Sequence, residues 1–308
     1  PHGKLTPFLK AMTEQIDGFV EGFRGELQFE REAEVQAAFA RRSRTSTVWR
    51  VPEVYRATPR VIEMEYVDGA VNISRAVQHF RPADPLAYRR ELARKFLFTI
   101  LSQLFVYQEL HGDLHPGNVM VDRAGRLHLI DWGNTVQLAG KVKPVLDYLK
   151  GALVADADLL TDALIAISTE PEAAQARRGE IREALARTLQ KKQIRPLSYS
   201  FAWTLYREGP DGWLKRANTL LQLASNTQQL GLVLRGEYLH LSRSLTAMIA
   251  TLGGLYEGVP RWRSGADLLI AINTFPARAL KDYLRGVHAE RLQATVQRSA
   301  HPPVRVAA

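Results

Sequence analysis

Three polar side chains in the middle of the chain have the types and spacing of a site for a divalent cation. Asp113 and Asn118 lie in the segment His-Gly-Asp-Leu-His-Pro-Gly-Asn at residues 111–118, and Asp131 begins Asp-Trp-Gly thirteen residues further on. Between them, two short apolar runs flank a turn at residues 122–125, a pattern that predicts a β-hairpin. A hairpin brings the outer ends of its strands together, so we expect the three side chains to converge. Carboxylate and amide oxygens are ligands that suit Mg²⁺.

The order Asp-x-x-x-x-Asn followed by Asp-x-Gly is the layout of a kinase catalytic loop and its metal-binding loop. In that layout Asp113 would orient or deprotonate the hydroxyl group that accepts a phosphoryl group. Asn118 and Asp131 would hold Mg²⁺ that bridges the phosphates of a bound nucleotide. Since all three polar residues are present, an active site is the preferred interpretation. The decayed loop of an inactive pseudokinase is the alternative.

Two histidines flank Asp113, and their spacing raises the alternative of a zinc site. His111 and His115 are four residues apart, as in a helical zinc pair. A Pro-Gly pair follows directly, however, which argues against a helix there, and no helical carboxylate motif accompanies the histidines. We therefore expect His111 to pack the loop. Trp132, which takes the place of the more usual Phe, should be a packing residue as well.

The composition limits the classes of protein to which the chain can belong. Its 308 residues, 46% of them hydrophobic, suffice for one large domain or two modest ones. The absence of cysteine excludes disulfides and thiolate metal sites and fits a reducing compartment. The longest strongly apolar stretch, residues 245–255, is too short to span a membrane. We expect a cytoplasmic protein that is at most peripheral at a membrane.

The net charge of +9 indicates which classes of partner the protein could bind. The basic residues are spread along the chain, so an ordinary solvated basic surface is the simpler explanation. Contact with an anionic membrane surface or lipid is compatible with this charge. We expect a nucleotide as ligand and no nucleic acid as partner.

The sequence pattern also predicts the elements that position the central residues. Residues 5–22 and 26–42 have a helical period of apolar positions. Residues 51–55 and 60–67 have the composition of short strands, and an Asp-Gly turn ends the second one. A long helix at residues 85–110 leads directly into the catalytic segment. Beyond Asp-Trp-Gly the pattern is helical, with apolar cores at 145–154, 159–167, 181–189, 201–206, 217–223, 230–241, 245–255 and 268–284.

Three further stretches match one known family. Gly-Glu-Leu-Gln-Phe-Glu-Arg-Glu-Ala at residues 25–33 is similar to a Glu-x-Asp segment and the helix after it. Residues 58–69 look like a strand and hinge, and residues 89–94 fit the helix before the catalytic loop. The family that they resemble is the UbiB atypical kinase family, also called AarF or ADCK-like, within the protein-kinase-like superfamily. The resemblance covers roughly residues 20–170 and the helical remainder more loosely.

The resemblance implies an α+β, protein-kinase-like fold with a truncated N-lobe and a predominantly α-helical C-lobe. A partial N-lobe would occupy residues 1–67 and the catalytic core of the C-lobe residues 68–150. A helical region would follow at 151–298, and a flexible tail at 299–308.

The resemblance also implies roles for residues outside the central segment. Glu32 would be the helix glutamate that pairs with a strand lysine. Glu65, Tyr66 and Val67 would place backbone groups against adenine, and Asp68 would reach the ribose or simply form a turn. ATP and Mg²⁺ are the implied cofactors.

Two departures from the family pattern affect these expectations. Gln28 stands where the family has Asp, which puts any regulatory role of that motif in doubt. The family's nucleotide loop, its Lys-x-Gly-Gln motif and its strand lysine all lie upstream of this segment, and nothing before Glu26 supplies them. The chain therefore looks like a kinase-like domain without its first strands, and we expect Glu32 to be an unpaired carboxylate.

The implied function is ATP hydrolysis or phosphoryl transfer by an atypical kinase, with a link to isoprenoid-quinone metabolism, such as ubiquinone biosynthesis, or to lipid metabolism. The alternative enzyme is a small-molecule phosphotransferase of the aminoglycoside or choline kinase type, in which the segment at 111–118 is also common. That alternative predicts an acidic pocket after residue 150, where no dense acidic cluster occurs. No Ala-Pro-Glu follows Gly133, which argues against an ordinary protein kinase.

Overall fold

The computed structural model describes residues 29–138, 142–191 and 234–300, together with Gly212, Lys215 and Leu232. The helices expected at 5–22, 201–206 and 217–223 lie outside these residues. The described elements, in chain order, are α1 (Phe29–Ser43), β1 (Trp49–Arg50), β2 (Val54–Thr58), β3 (Val61–Met64), β4 (Val71–Asn72), α2 (Ala76–Phe80), α3 (Pro85–Leu101), β5 (Glu109–His111), β6 (Val119–Val121), β7 (Leu127–Leu129), β8 (Thr135–Gln137), α4 (Val142–Val154), α5 (Ala157–Ile167), α6 (Pro171–Ala176), α7 (Arg178–Lys191), α8 (Gly236–Leu255) and α9 (Arg261–Ala300).

The predicted hairpin is present and forms the centre of a small sheet. Strands β6 and β7 pair antiparallel with Val119 opposite Leu129. Strand β4 pairs antiparallel with β6, and β1 pairs parallel with β7, which gives the order β1-β7-β6-β4. Two further ribbons, β2–β3 and β5–β8, are antiparallel pairs. Together with the many helices, these sheets give the α+β organisation that the sequence predicts.

In the N-terminal ribbon, the first strand is shifted and the second is shorter than predicted. The structure places them at Val54–Thr58 and Val61–Met64 in place of 51–55 and 60–67. A register irregularity between Val54 and Arg56 interrupts their ladder. The apolar residue Val51 is buried outside the ribbon, so its hydrophobicity reflects core packing and not strand pairing.

The long helix before the catalytic segment ends earlier than predicted. Helix α3 begins after Asp84, whose carboxylate accepts a hydrogen bond from the Ala87 N–H, and its α-helical part ends at Leu101. A π-helical segment, Ser102–Tyr107, follows, and Gln108 has a left-handed φ of 50°. The predicted end at residue 110 is therefore wrong, because Glu109–His111 pairs with β8, and long-range pairing overrides an apolar pattern that suits either state.

The C-terminal helices are longer than predicted. Helix α8 runs unbroken from Gly236 to Leu255. It therefore joins residues 236–241 of the predicted core at 230–241 to the core at 245–255. Helix α9 continues through Ala300, so the first two residues of the expected flexible tail are helical, and residues 301–308 lie outside the described residues. No helix among the residues that the structure describes is long and apolar enough to cross a membrane.

Helices α3, α8 and α9 hold the segment at residues 111–118 against one continuous core. Arg90 on α3 forms a two-pronged contact with Asp267 on α9, with N···O distances of 2.9 and 2.8 Å. The fully buried large side chains of the core surround the hairpin and the segment before it; they include Trp49, Leu92, Phe96, Leu110, Leu114, Leu127, Leu129 and Trp132.

Candidate active site

The ends of the β6–β7 hairpin bring Asp113, Asn118 and Asp131 together. The Ile130 N–H donates to the Asn118 carbonyl at 3.1 Å, which extends the hairpin ladder to its open end. The side-chain Nδ2 of Asn118 lies 3.0 Å from the Asp113 carbonyl and 3.3 Å from Asp131 Oδ2. One amide group thus joins the loop before the hairpin to the loop after it.

The backbone of the site depends on one unusual conformation and one close approach. Asp131 has a φ of 66°, in the left-handed region that a residue with a Cβ rarely adopts and that often marks functional sites. The Gly112 N–H donates to the Asn134 carbonyl at 2.6 Å. A Cβ at Gly112 would lie 2.7 Å from that carbonyl oxygen, so only glycine allows this close approach.

His111 is a buried structural residue of the loop. Its Nε2 lies 3.0 Å from the Ile130 carbonyl, and its Nδ1 lies 3.1 Å from the Asp113 N–H. The carbonyl can only accept and the amide can only donate, which requires the neutral tautomer with hydrogen on Nε2. Burial lowers the pKa of His111 and favours this neutral form. The ring thereby fixes the backbone of Asp113, in agreement with the packing role expected from the sequence.

The carboxylate of Asp113 faces solvent beside His115. Both side chains are about half exposed, and His115 Nε2 lies 3.9 Å from Asp113 Oδ2. His115 Nδ1 accepts a hydrogen bond from the Gly117 N–H at 2.9 Å. Since both ring nitrogens of His111 also have backbone partners, the two histidines do not form a zinc pair. Among the described residues, no group of three or more His, Cys, Asp or Glu could hold a metal ion.

Glu32 contacts the loop at residues 131–133 directly. Its Oε1 accepts a hydrogen bond from the Trp132 N–H at 3.2 Å. A Cβ at Gly133 would lie 3.6 Å from Glu32 Oε2 and 3.7 Å from Asp131 Oδ1, so the two carboxylates lie on the same side of this loop. Partial burial and the neighbouring Asp131 charge raise the pKa of Glu32. A backbone N–H therefore satisfies one oxygen of Glu32, and the expected lack of a lysine partner stays a prediction.

The predicted hinge follows β3 as an extended segment. The Glu65 N–H donates to the Glu53 carbonyl at 2.8 Å, and the Tyr66 side chain is 85% exposed. Asp68 lies in a turn that Gly69 closes with a φ of 65°. Among the described residues, no hydrogen bond or ion pair joins Glu65, Tyr66, Val67 or Asp68 to the site at the hairpin.

Several residues that support the loop gave no sequence signal. Gln103 Oε1 accepts a hydrogen bond from the His111 N–H at 2.8 Å. From α8, Ser244 donates to the His111 carbonyl at 2.9 Å and Thr251 donates to the Leu114 carbonyl at 3.0 Å. These hydroxyl groups lie more than 130 residues from the loop in sequence. Short motifs cannot reveal such contacts, because serine and threonine are common on helices.

Comparison with known proteins gives a family match and several relatives. A family model described as the ABC1 atypical kinase-like domain matches residues 3–164. Protein ACTIVITY OF BC1 COMPLEX KINASE 8, chloroplastic, of Arabidopsis thaliana is 28% identical over 146 residues, which covers 46% of this chain and 18% of the relative. Protein ACTIVITY OF BC1 COMPLEX KINASE 1, chloroplastic, of the same plant is 30% identical over 139 residues, which covers 42% of this chain and 19% of the relative.

A bacterial relative and one solved structure are also similar. The uncharacterized protein Rv0647c of Mycobacterium tuberculosis is 31% identical over 144 residues, with 45% of this chain and 28% of the relative covered. The solved complex of Rv3197 with erythromycin, from the same organism, covers 80% of this chain and 61% of that chain, with a TM-score of 0.46 and 20% sequence identity. The chain spans between about a fifth and just over a quarter of the length of these curated relatives.

Proposed function

Because the chain belongs to the ABC1 atypical kinase-like family, we propose that it binds Mg-ATP where Asp113, Asn118 and Asp131 converge. Phosphoryl transfer or ATP hydrolysis is the proposed reaction. The observation that carries the proposal is the Asn118 side chain, whose Nδ2 contacts both the Asp113 carbonyl and Asp131 Oδ2. Of the two resemblances seen in the sequence, the family match favours the atypical kinases over the aminoglycoside-type enzymes.

The donor atoms at the hairpin fit a magnesium ion. Asn118 uses its Nδ2 for the two contacts within the protein, so its Oδ1 is the amide atom suited to a cation. Asp131 adds a carboxylate. Mg²⁺ in nucleotide sites is usually held by one or two protein groups, with phosphate and water oxygens completing the octahedron. When bound, the ion would neutralise phosphate charge during transfer.

Asp113 is the proposed base or orienting group for the acceptor. Its backbone is fixed by the His111 ring, while its carboxylate is about half exposed and open to a substrate hydroxyl. A carboxylate in this position would accept the hydroxyl proton as the oxygen attacks phosphorus. His111 is not proposed for proton transfer, because both of its ring nitrogens are committed to backbone groups.

The extended segment after β3 is the proposed contact for the nucleotide base. The Glu65 N–H is already bonded to Glu53. The Glu65 carbonyl and the backbone of Tyr66 and Val67 are therefore the groups proposed to face adenine. Asp68, exposed in the following turn, is the proposed ribose contact.

The test is calorimetric titration of the chain with ATP, with and without Mg²⁺. Mg²⁺-dependent binding that Asp131→Asn abolishes supports the proposal. Asp162→Asn is a matched control, because Asp162 lies on the exposed surface of α5 and pairs with Arg178. Absence of nucleotide binding would contradict the proposal, and Mg²⁺-independent binding would favour a pseudokinase. Hydrolysis of ATP that Asp113→Asn slows would support the role of Asp113.

We further propose that the protein contacts an anionic membrane surface and acts on an isoprenoid-quinone precursor or another lipid. The outward face of α9 supports this proposal. It carries large apolar side chains that are 43–60% exposed: Trp262, Ile270, Ile272, Leu280, Tyr283 and Leu284. Exposed basic residues flank them at Arg261, Arg263, Lys281 and Arg285. The acidic residues of α9 before residue 290, Asp267 and Asp282, are buried on the opposite face.

An amphipathic helix with large apolar side chains and flanking cations is suited to the headgroup region of an anionic bilayer. Co-sedimentation should therefore show binding to phosphatidylglycerol vesicles and weak binding to phosphatidylcholine vesicles. Leu280→Ser with Leu284→Ser should abolish it, whereas Leu86→Ser, an exposed leucine on α3, should not. Concentration-dependent dimerisation without vesicle binding would instead identify a second copy as the occupant of this face and would overturn the membrane proposal.

A further inference from the structure

Helix α1 contacts the catalytic region at both of its ends. Near its N-terminal end, Glu32 accepts the hydrogen bond from the Trp132 N–H. Ten residues later, Arg42 Nη1 lies 2.5 Å from Glu109 Oε2. With a rise of about 1.5 Å per residue, the two contacts lie about 15 Å apart along the helix. The second contact is remote from the proposed nucleotide site.

Glu109 is a buried carboxylate that joins three elements. Its side chain is 7% exposed, and its second oxygen accepts a hydrogen bond from the side chain of Gln137. Glu109 and Gln137 face each other in the β5–β8 ladder. Strand β5 leads into the catalytic loop, and β8 follows the Asp-Trp-Gly segment. The Arg42–Glu109 ion pair therefore fastens α1 to the strands on either side of both functional loops.

Arg42 is held by aromatic side chains that continue toward the metal-binding loop. Its guanidinium lies 4.7 Å from the ring centre of Phe39 and 5.6 Å from that of Tyr107. The Tyr107 hydroxyl donates to the Arg42 carbonyl at 3.2 Å. Phe39 in turn stacks on Trp132 with ring centres 4.0 Å apart. A continuous row of contacts thus runs from Arg42 to the residue next to Asp131.

We propose that Arg42 and Glu109 form a positioning pair, which sets the location of α1 and, through Phe39 and Glu32, the conformation of the loop at Asp131. The inference rests on the proposed function of that loop, and neither residue is a catalytic residue. Without Arg42, the buried Glu109 would lose its only ion-pair partner in the described residues, a costly state that a shift of α1 would relieve. Such a shift would move Glu32 away from the Trp132 N–H.

The test compares Arg42→Gln with Arg41→Gln, a matched control because Arg41 is the adjacent, exposed residue on α1. Hydrogen exchange at the Trp132 amide is the first readout and requires no nucleotide. We expect Arg42→Gln to accelerate this exchange and to weaken Mg²⁺-dependent ATP binding about three- to thirtyfold, the range typical of coupling through packed side chains. Arg41→Gln should change neither quantity.

The charge-reversed variant Arg42→Glu with Glu109→Arg separates positioning from general loss of stability. We expect it to recover at least part of the Trp132 amide protection that Arg42→Gln loses. Unchanged protection in Arg42→Gln, or a reversed pair that exchanges as fast as the single variant, would overturn the inference. If the wild-type chain binds no ATP, the proposed function fails, while the exchange data still decide whether the pair positions the loop.

Discussion

The rings of Phe39 on α1 and Trp132 in the loop at residues 131–133 stack with their centres 4.0 Å apart and their planes 24° apart. Both side chains are fully buried. The ring of His111 also packs against Trp132, with ring centres 4.7 Å apart. The core of the protein thus extends directly beneath the proposed magnesium site. Changes in this packing should affect both stability and the geometry of Asp131.

Truncation of Phe39 tests the packing contribution. Phe39→Ala removes a fully buried ring and its stacking contact with Trp132, so we expect a loss of about 3–5 kcal/mol in the free energy of unfolding. Urea denaturation followed by circular dichroism measures this loss. Tyr66→Ala, at an aromatic residue that is 85% exposed, serves as the control. A loss below about 1 kcal/mol for Phe39→Ala would be incompatible with the buried stack.

The buried, neutral His111 predicts a pH dependence of stability. Burial lowers its pKa in the folded protein, so the unfolded chain binds more protons once the pH falls below about 6.5. Stability should therefore decrease from pH 7 toward pH 5, with a contribution of at most about 1.4 kcal/mol per pH unit from this group. His111→Gln should reduce the slope. Equal slopes in wild type and His111→Gln would refute this explanation.

The close approach at Gly112 makes a sharp steric prediction. A methyl group there would lie 2.7 Å from the Asn134 carbonyl oxygen, so Gly112→Ala must distort the catalytic loop. We expect lower stability and weaker Mg²⁺-dependent ATP binding. At Gly179 in α7 nothing lies within 4 Å of the added carbon. Gly179→Ala should therefore be neutral or stabilising by up to about 1 kcal/mol. The melting temperatures of the two variants, measured by thermal unfolding, test this difference. Similar melting temperatures would contradict the predicted clash.

The ion pair between α3 and α9 should contribute more than a surface pair. Asp267 is 2% exposed and binds Arg90, whereas Glu257 is 80% exposed and pairs with Arg89 at 3.7 Å. Asp267→Asn should cost about 1.5–3 kcal/mol, because it removes the buried carboxylate that accepts two hydrogen bonds from the Arg90 guanidinium. Glu257→Gln should cost less than about 1 kcal/mol. Urea denaturation of both variants provides the comparison, and equal losses would be the contrary result.

Local sequence patterns predicted the central part of the site. The hairpin is specified by two apolar runs and a turn within about a dozen residues, so its ends had to bring Asn118 and Asp131 together. Asp113 precedes Asn118 by only five residues and therefore lies close to it in the fold. Helix α1 was also predicted, from the helical period of apolar positions at residues 26–42.

Long-range contacts account for what the sequence did not predict. Arg42 and Glu109 are 67 residues apart, and Ser244 and His111 are 133 residues apart. Arginine and serine at such positions suit a solvated helix as well as a buried contact. The early end of α3 has the same origin, since strand pairing between Glu109 and Gln137 depends on residues that follow the hairpin.

The most direct test of the central claim is diffraction from crystals grown with Mn²⁺, as a stand-in for Mg²⁺, and a non-hydrolysable ATP analogue. Anomalous scattering from Mn²⁺ locates the ion directly, without an assumption about which residues bind it. We predict a peak bound by Asn118 Oδ1 and an Asp131 carboxylate oxygen, with the phosphates bridging to it and the Asp113 carboxylate facing the terminal phosphate. An ion and nucleotide bound elsewhere, or a nucleotide bound at the hairpin without any ion, would contradict the assignment of Asn118 and Asp131 as metal ligands.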